Sequence, residues 1–197
     1  MSRTSRHLLA GFTLVELLVG MSLALIVMTG VLSTFGFLGR NLNRLANQQK
    51  LEAESRRTLA YFSQDVRLAT ALTNPSATSV TLTIPTTSHT TTVMYTYHDS
   101  ATTIAGVSVP ANSLTRRSPS SGAPVILLND IINSGFSIAY YDSSNDLVTD
   151  FTNKVLAIQK VSMSFSTQSG NSANGTRTQV FLSGSPRVAL RNKPLLY

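Results

Sequence analysis

Gly11-Phe12-Thr13-Leu14-Val15-Glu16 opens an otherwise apolar run that continues to Leu38, with one carboxylate near its start. A carboxylate held within a bilayer costs on the order of a few kcal/mol and is tolerated chiefly where it has a partner or a function. The reading of Glu16 therefore decides the reading of the run. As a helix, residues 12–38 would extend roughly 40 Å at 1.5 Å per residue, more than the roughly 30 Å of bilayer hydrocarbon, so the run is long enough to span. Ahead of it, Met1 to Gly11 is short and polar, with Arg3, Arg6 and His7 and no acidic residue. An ordinary secretory signal is cut after its apolar region, at a small-x-small site. Here the candidate cut, at Gly11, lies before that region, and the apolar helix stays with the mature chain.

A glycine at position 11, a phenylalanine at 12 and a glutamate at 16 inside an apolar helix closely resemble the type III signal of prepilins, the precursors of type IV pilins and type II secretion pseudopilins. The resemblance implies cleavage after Gly11 by the prepilin peptidase, on the cytoplasmic side, and methylation of the new amino terminus at Phe12. It also makes Glu16 the assembly glutamate. Physical chemistry assigns Glu16 a compatible role, because an anion among apolar helices needs a cation and a neighbouring subunit's Phe12 ammonium is the nearest one in a staggered bundle. The competing reading is an ordinary signal anchor with Glu16 solvated near the headgroups.

Charge alone does not orient the span, since Arg40, Arg44 and Lys50 flank its far end as heavily as Arg3 and Arg6 flank the near one. The resemblance orients it: a single-pass inner-membrane precursor with a cytoplasmic leader, everything after Leu38 periplasmic or otherwise extracytoplasmic, and a later place in a pilus or pseudopilus filament. Many major pilins have a proline midway along this helix. None occurs here between Met1 and Leu72; Gly20, Gly30, Gly36 and Gly39 are present instead. Each glycine weakens a helix interior by about 1 kcal/mol relative to alanine. The cluster Gly30 to Gly39 is open to two readings, a place where the helix loosens on leaving the bilayer or close packing of helices within it.

The 197 residues leave enough chain beyond the span for one modest core. The formal charge of +7 falls to +5 if Arg3 and Arg6 leave with the leader. The remaining charge is dispersed, concentrated locally beyond the stalk only at Arg116-Arg117 and at Arg187, Arg191 and Lys193, and there is no tryptophan. That pattern disfavours nucleic-acid binding, which prefers basic runs interleaved with aromatic side chains. With no cysteine there is neither a disulfide framework nor a thiol nucleophile.

From Arg40 the chain becomes amphipathic. Leu59, Phe62, Val66, Ala69 and Leu72 recur every three or four residues, with Arg56, Arg57, Gln64, Asp65 and Arg67 between them. The spacing predicts one long helix ending near Thr73-Asn74-Pro75, its upper half packed on a sheet. Glu52, Glu54, Arg56 and Arg57 read as solvated helix charges. After Pro75 the period is that of strands. Ser79–Ile84 and Val93–Tyr97 read as a hairpin pair, followed by strands at Asn112–Arg117, Val125–Leu128, Phe136–Tyr141, Val161–Phe165 and Gln179–Leu182. Pro119–Gly122 and Ser169–Gly175 read as loops.

The expected fold is therefore α+β and pilin-like, in four segments: leader 1–11, membrane-spanning assembly helix 12–38, amphipathic continuation 39–73 and β-rich head 74–197. Val93–Tyr97, Leu114-Thr115-Arg116-Arg117, Phe136–Asp142 and Val188-Ala189-Leu190-Arg191-Asn192 resemble the larger minor pilins of the W class and the J-class pseudopilins, which act at filament tips as initiators.

No enzyme is expected. The histidines are His7, His89 and His98, and there is neither a Gly-x-Ser-x-Gly elbow nor a His-x-x-x-His spacing. The turn Tyr141–Asp146, with Asp150 beyond it, places Asp142, Asp146 and Asp150 as weak calcium candidates. It lacks the EF-hand's glycine and distal glutamate, and Asx-rich turns form without an ion, so no cofactor is expected. The functional expectation is a minor pilin or pseudopilin whose partners are the prepilin peptidase, the inner membrane and other pilin or pseudopilin subunits. The alternatives are a pilus-associated adhesin or DNA-uptake subunit in which the Thr/Ser-rich head or Arg116 and Arg117 recognise a ligand, and a periplasmic hydrolase on a signal anchor.

Overall fold

Helix α1 runs from Leu14 to Leu68 without interruption. The computed structural model describes residues 12–151, 154–169, 178–182 and 185–190. The leader, including Gly11, the body of the loop expected at Ser169–Gly175, and Arg191 to Lys193 lie outside them. The chain divides into two compact units, residues 1–45 and 46–197, and α1 contributes to both.

In the first unit the helix is apolar on every face from Leu17 to Leu38, and three of its hydroxyls are satisfied locally. Ser22 Oγ donates to the Val19 carbonyl at 2.8 Å, Thr29 Oγ1 to Leu25 at 2.8 Å and Thr34 Oγ1 to Gly30 at 2.9 Å. Hydroxyls folded back onto their own backbone present little polarity outward. A Cβ added at Gly20, Gly30, Gly36 or Gly39 would meet nothing within 4 Å, so packing within this chain does not require any of the four glycines.

In the second unit, Leu51, Ser55, Thr58, Phe62, Asp65 and Val66 of α1 are buried, a stripe at helical spacing that faces the sheet. The helix stops at Leu68, five residues before the expected Thr73, because the backbone is captured by a strand. Thr70 donates its N–H to the Thr83 carbonyl at 2.9 Å, and β1 (Ala71–Thr73) pairs antiparallel with β2 (Ser79–Pro85). Leu72 is buried as expected, but from β1 and not from the helix.

The hairpin expected next is present. β2 pairs with β3 (Thr90–His98) in the register Val80↔Tyr95 and Leu82↔Val93, so the alternating apolar residues of both strands fall on one buried face. A small hairpin of β4 (Thr102–Ile104) and β5 (Val107–Val109), not expected from the pattern, turns through Ala105 at φ +48° and Gly106 at φ +79°. Two successive positive φ values are what a two-residue turn of this hand requires, and glycine supplies one at no steric cost. β6 (Ser113–Arg117) and β7 (Pro124–Leu128) complete a five-stranded antiparallel sheet in the order β1-β2-β3-β6-β7. The Pro119–Gly122 segment between them is a turn closed by the Gly122 N–H on the Pro119 carbonyl at 2.8 Å.

A second antiparallel sheet is built on β9. β8 (Ile131–Tyr141) lies along one of its edges, while β10 (Thr178–Leu182) and β11 (Val188–Ala189) divide the other edge of β9 (Lys160–Ser169). β8 is irregular between Ile131 and Phe136, and a Cβ on Gly135 would stand 2.8 Å from the Ile132 carbonyl, a close approach that only glycine allows.

Both sheets and the buried stripe of α1 share one core. Phe62 meets Tyr95 edge-on at 5.3 Å, and Tyr97 stacks on Phe136 at 5.0 Å, joining the first sheet to the second. The architecture is thus a long N-terminal helix whose C-terminal part packs on an antiparallel β head, the α+β arrangement expected.

Candidate functional site

Residues 12–40 are exposed without exception. Phe12 is 84% exposed and even Val31, the least exposed of the large apolar side chains before Leu38, is 43% exposed. A continuous apolar helix surface of this extent exceeds what water tolerates on a monomeric protein, and the helix is long and apolar enough to cross a membrane.

At the head of this helix, Thr13 and Glu16 form a reciprocal cap. Thr13 donates its backbone N–H (3.2 Å) and its hydroxyl (3.1 Å) to Glu16 Oε2, and the Glu16 N–H donates to Thr13 Oγ1 at 3.3 Å. This is the Ser/Thr-x-x-Glu capping box, which satisfies two amides the first helical turn would otherwise leave unpaired. The spacing Thr13 to Glu16 carries the signal for it, and the sequence reading passed over it. Glu16 therefore has a helix-capping role within its own chain, beside any role toward a neighbour.

The second polar constellation lies in the head. Asp65, placed among the solvent-facing residues by the sequence reading, is 7% exposed. Arg116 of β6 meets it in a fork, Nε to Oδ2 at 2.8 Å and Nη2 to Oδ1 at 3.2 Å, and the Tyr95 hydroxyl of β3 donates to Oδ2 at 2.6 Å. Three elements converge on one carboxylate, a geometry that fixes α1 on the sheet. Its hydrogen bonds to Asp65 hold the Arg116 guanidinium even more firmly protonated than usual. Burial first, and then the Asp65 charge, push the Tyr95 phenol far above its ordinary range. Helical arithmetic carried the signal for this cluster: Asp65 stands three residues after Phe62 and four before Ala69, on the apolar stripe and not opposite it.

This cluster splits the arginine pair offered above for ligand recognition. Arg116 is committed to Asp65, and Arg117 donates through Nε to the Gly122 carbonyl at 2.9 Å. Arg187 lies over the Tyr141 ring at 4.1 Å.

The acidic turn is organised by its own backbone. Asp142 Oδ1 accepts the N–H groups of Ser144 (2.8 Å) and Asp146 (2.9 Å), an Asx turn, with Asn145 at φ +71°. Asp142, Asp146 and Asp150 are not gathered around a common point, and among the described residues no three histidine or acidic side chains could hold a metal ion. His98 does not form a pair with Asp99 in the manner of a catalytic dyad. Its Nε2 lies 2.9 Å from Thr115 Oγ1 across the strands, and burial lowers its pKa, with Asp99 opposing and Arg117 reinforcing the shift.

Comparison of the chain with protein-family models, with characterised proteins and with solved structures found no match.

Proposed function

We propose that this chain is a pilin-like subunit, a minor pilin or pseudopilin. In this reading the prepilin peptidase cleaves it after Gly11 and methylates it at Phe12, and the exposed apolar part of α1 carries it first in the inner membrane and then in a filament beside other subunits. Its work is assembly, not catalysis. One observation carries the reading: over residues 14–38 the surface of α1 is exposed all round and apolar save for Glu16 and scattered hydroxyls, while its C-terminal part is buried on a self-contained β head. A helix of that kind needs a second apolar medium, which lipid and a bundle of like helices both provide.

Intact mass of the chain made with and without the prepilin peptidase tests the processing. Loss of residues 1–11 plus one methyl group, only with the peptidase, is the expected result; a chain that keeps its first eleven residues would overturn it.

Glu16 then separates two contributions. Glu16→Gln preserves the capping geometry but removes the charge, whereas Glu16→Ala removes both. If Glu16 aligns on a neighbour's Phe12 ammonium, both variants lose filament incorporation. Normal incorporation of the Gln variant would reduce Glu16 to a cap.

A further inference from the structure

The five-stranded sheet ends on β7, whose outer edge has no strand partner among the described residues. Helix α1 runs beside that edge without closing on it. Thr58 Oγ1 approaches the Leu127 carbonyl at 3.5 Å, the limit of a hydrogen bond, and between helix and strand lies a groove of about 580 Å³.

Its lining has the chemistry of a protein-binding site. Val125 stands 58% exposed on the strand side and Tyr61 37% exposed on the helix side, with Arg57, Gln64 and Asn129 at the rim. Exposed aromatic and arginine side chains in a concave site are the types that dominate binding energy between proteins. The charges are unbalanced in one direction. Asp65 is consumed by Arg116 and Tyr95, and Glu54 is 3.9 Å from Lys50, whereas Arg57 has no carboxylate partner among the described residues and rests on Tyr61, 5.4 Å from its ring centre. The edge is also limited in length. Pro124 supplies no N–H at one end and the register with β6 shifts near the other, between Leu114 and Thr115, which leaves Val125 to Leu127 without a strand partner among the described residues, about 10 Å of strand at 3.3 Å per residue, with only the Thr58 hydroxyl near the Leu127 carbonyl. Sheet proteins commonly blunt such edges with charge or proline along their length; here the middle of the edge is apolar, and among the described residues no strand covers it.

We propose that this groove receives a short extended segment of a partner protein, which adds to the sheet along β7 and sets a carboxylate side chain on Arg57. Main-chain pairing with the edge supplies affinity and the Arg57 contact supplies selectivity, as in other cases of strand addition beside a helix. The proposal stands on the head alone and is independent of the filament reading.

The test uses the full chain in detergent micelles and two fluorescein-labelled hexapeptides, Thr-Val-Glu-Val-Thr-Val and the same peptide with lysine for glutamate. Fluorescence anisotropy should show saturable binding of the glutamate peptide, weaker by about tenfold for the lysine peptide and for the chain carrying Arg57→Gln, with amide exchange slowed within Val125–Leu127. Arg57 is exposed, so the variant should keep the melting temperature of the parent chain. Equal binding of both peptides, absence of saturable binding, or Arg57-dependent binding without slowed exchange at Val125–Leu127 would each overturn the proposal.

Discussion

Phe35 and Phe62 stand on the same helix, the first 67% exposed and the second fully buried. The difference lies in what surrounds them. Around Phe35 apolar residues occupy every face of α1, so no single neighbouring surface could bury them all and a surrounding apolar medium is the solution. Around Phe62 they form a stripe with charged residues opposite, and one sheet suffices. The two carboxylates of the helix divide in the same way. Glu16 is exposed and bound to its own first turn through Thr13, whereas Asp65 is buried and bound to two strands. Hydrophobicity alone does not distinguish a membrane segment from a core segment; its distribution around the helix does.

Paired substitutions test this contrast. The largest effect is expected from Phe62→Ala, about 4 kcal/mol of head stability from lost transfer energy and the cavity left beside Tyr95. That corresponds to a fall of about 10 °C in the thermal midpoint for a unit of this size. Phe35→Ala should leave that midpoint unchanged, and equal shifts in the two variants would erase the distinction between the two parts of α1. Next comes Asp65→Ala, which strands the Arg116 guanidinium and the Tyr95 hydroxyl in a largely buried site. Removing one partner of a buried pair costs about 3 kcal/mol when the other remains partly solvated, and chemical denaturation should record it. Glu16→Ala should cost about 1 kcal/mol, confined to the first turns of the helix. Amide exchange should quicken there, while the head's denaturation midpoint stays where it was.

The smallest effect belongs to His98, which lies in the head and has no counterpart in the apolar segment. Burial lowers its folded pKa, so the unfolded chain takes up the proton first as pH falls. The His98 contribution is therefore whole above the unfolded value of about 6.5 and declines as pH drops below it. Head stability measured from pH 7.5 to 5 should fall less steeply in His98→Gln than in the parent chain. An unchanged slope would mean that the burial of His98 does not carry this pH dependence.

Much of the head was legible as strands because alternation survives in the sequence. Ser79–Ile84 and Val93–Tyr97 pair as their pattern required, and five further strand predictions coincide with β6 to β10 in place if not in length. The short strands escaped. β1, β4 and β5 have three residues each, too few for a period to register, and their pairing is decided by partners and by a turn of positive φ. For the same reason the helix was extended through Leu72: an apolar residue four beyond Leu68 fits a helix and a strand equally well until the Thr83 carbonyl claims the Thr70 amide. Asp65 is hidden from a reading by polarity, because a charged side chain occupies a position that helical spacing puts on the apolar stripe.

The order of amino acids is enough to give an apolar run over residues 12–38 with a single anion near its start, and alternating strands after it. These properties are local, written in composition and period. It takes the packed fold to make Asp65 an internal anchor, to spend Arg116 on it, and to leave β7 without a strand on its outer edge among the described residues. Those outcomes depend on which distant strands lie beside the helix. Burial and pairing of that kind are set by residues dozens of positions apart, where no local pattern reaches.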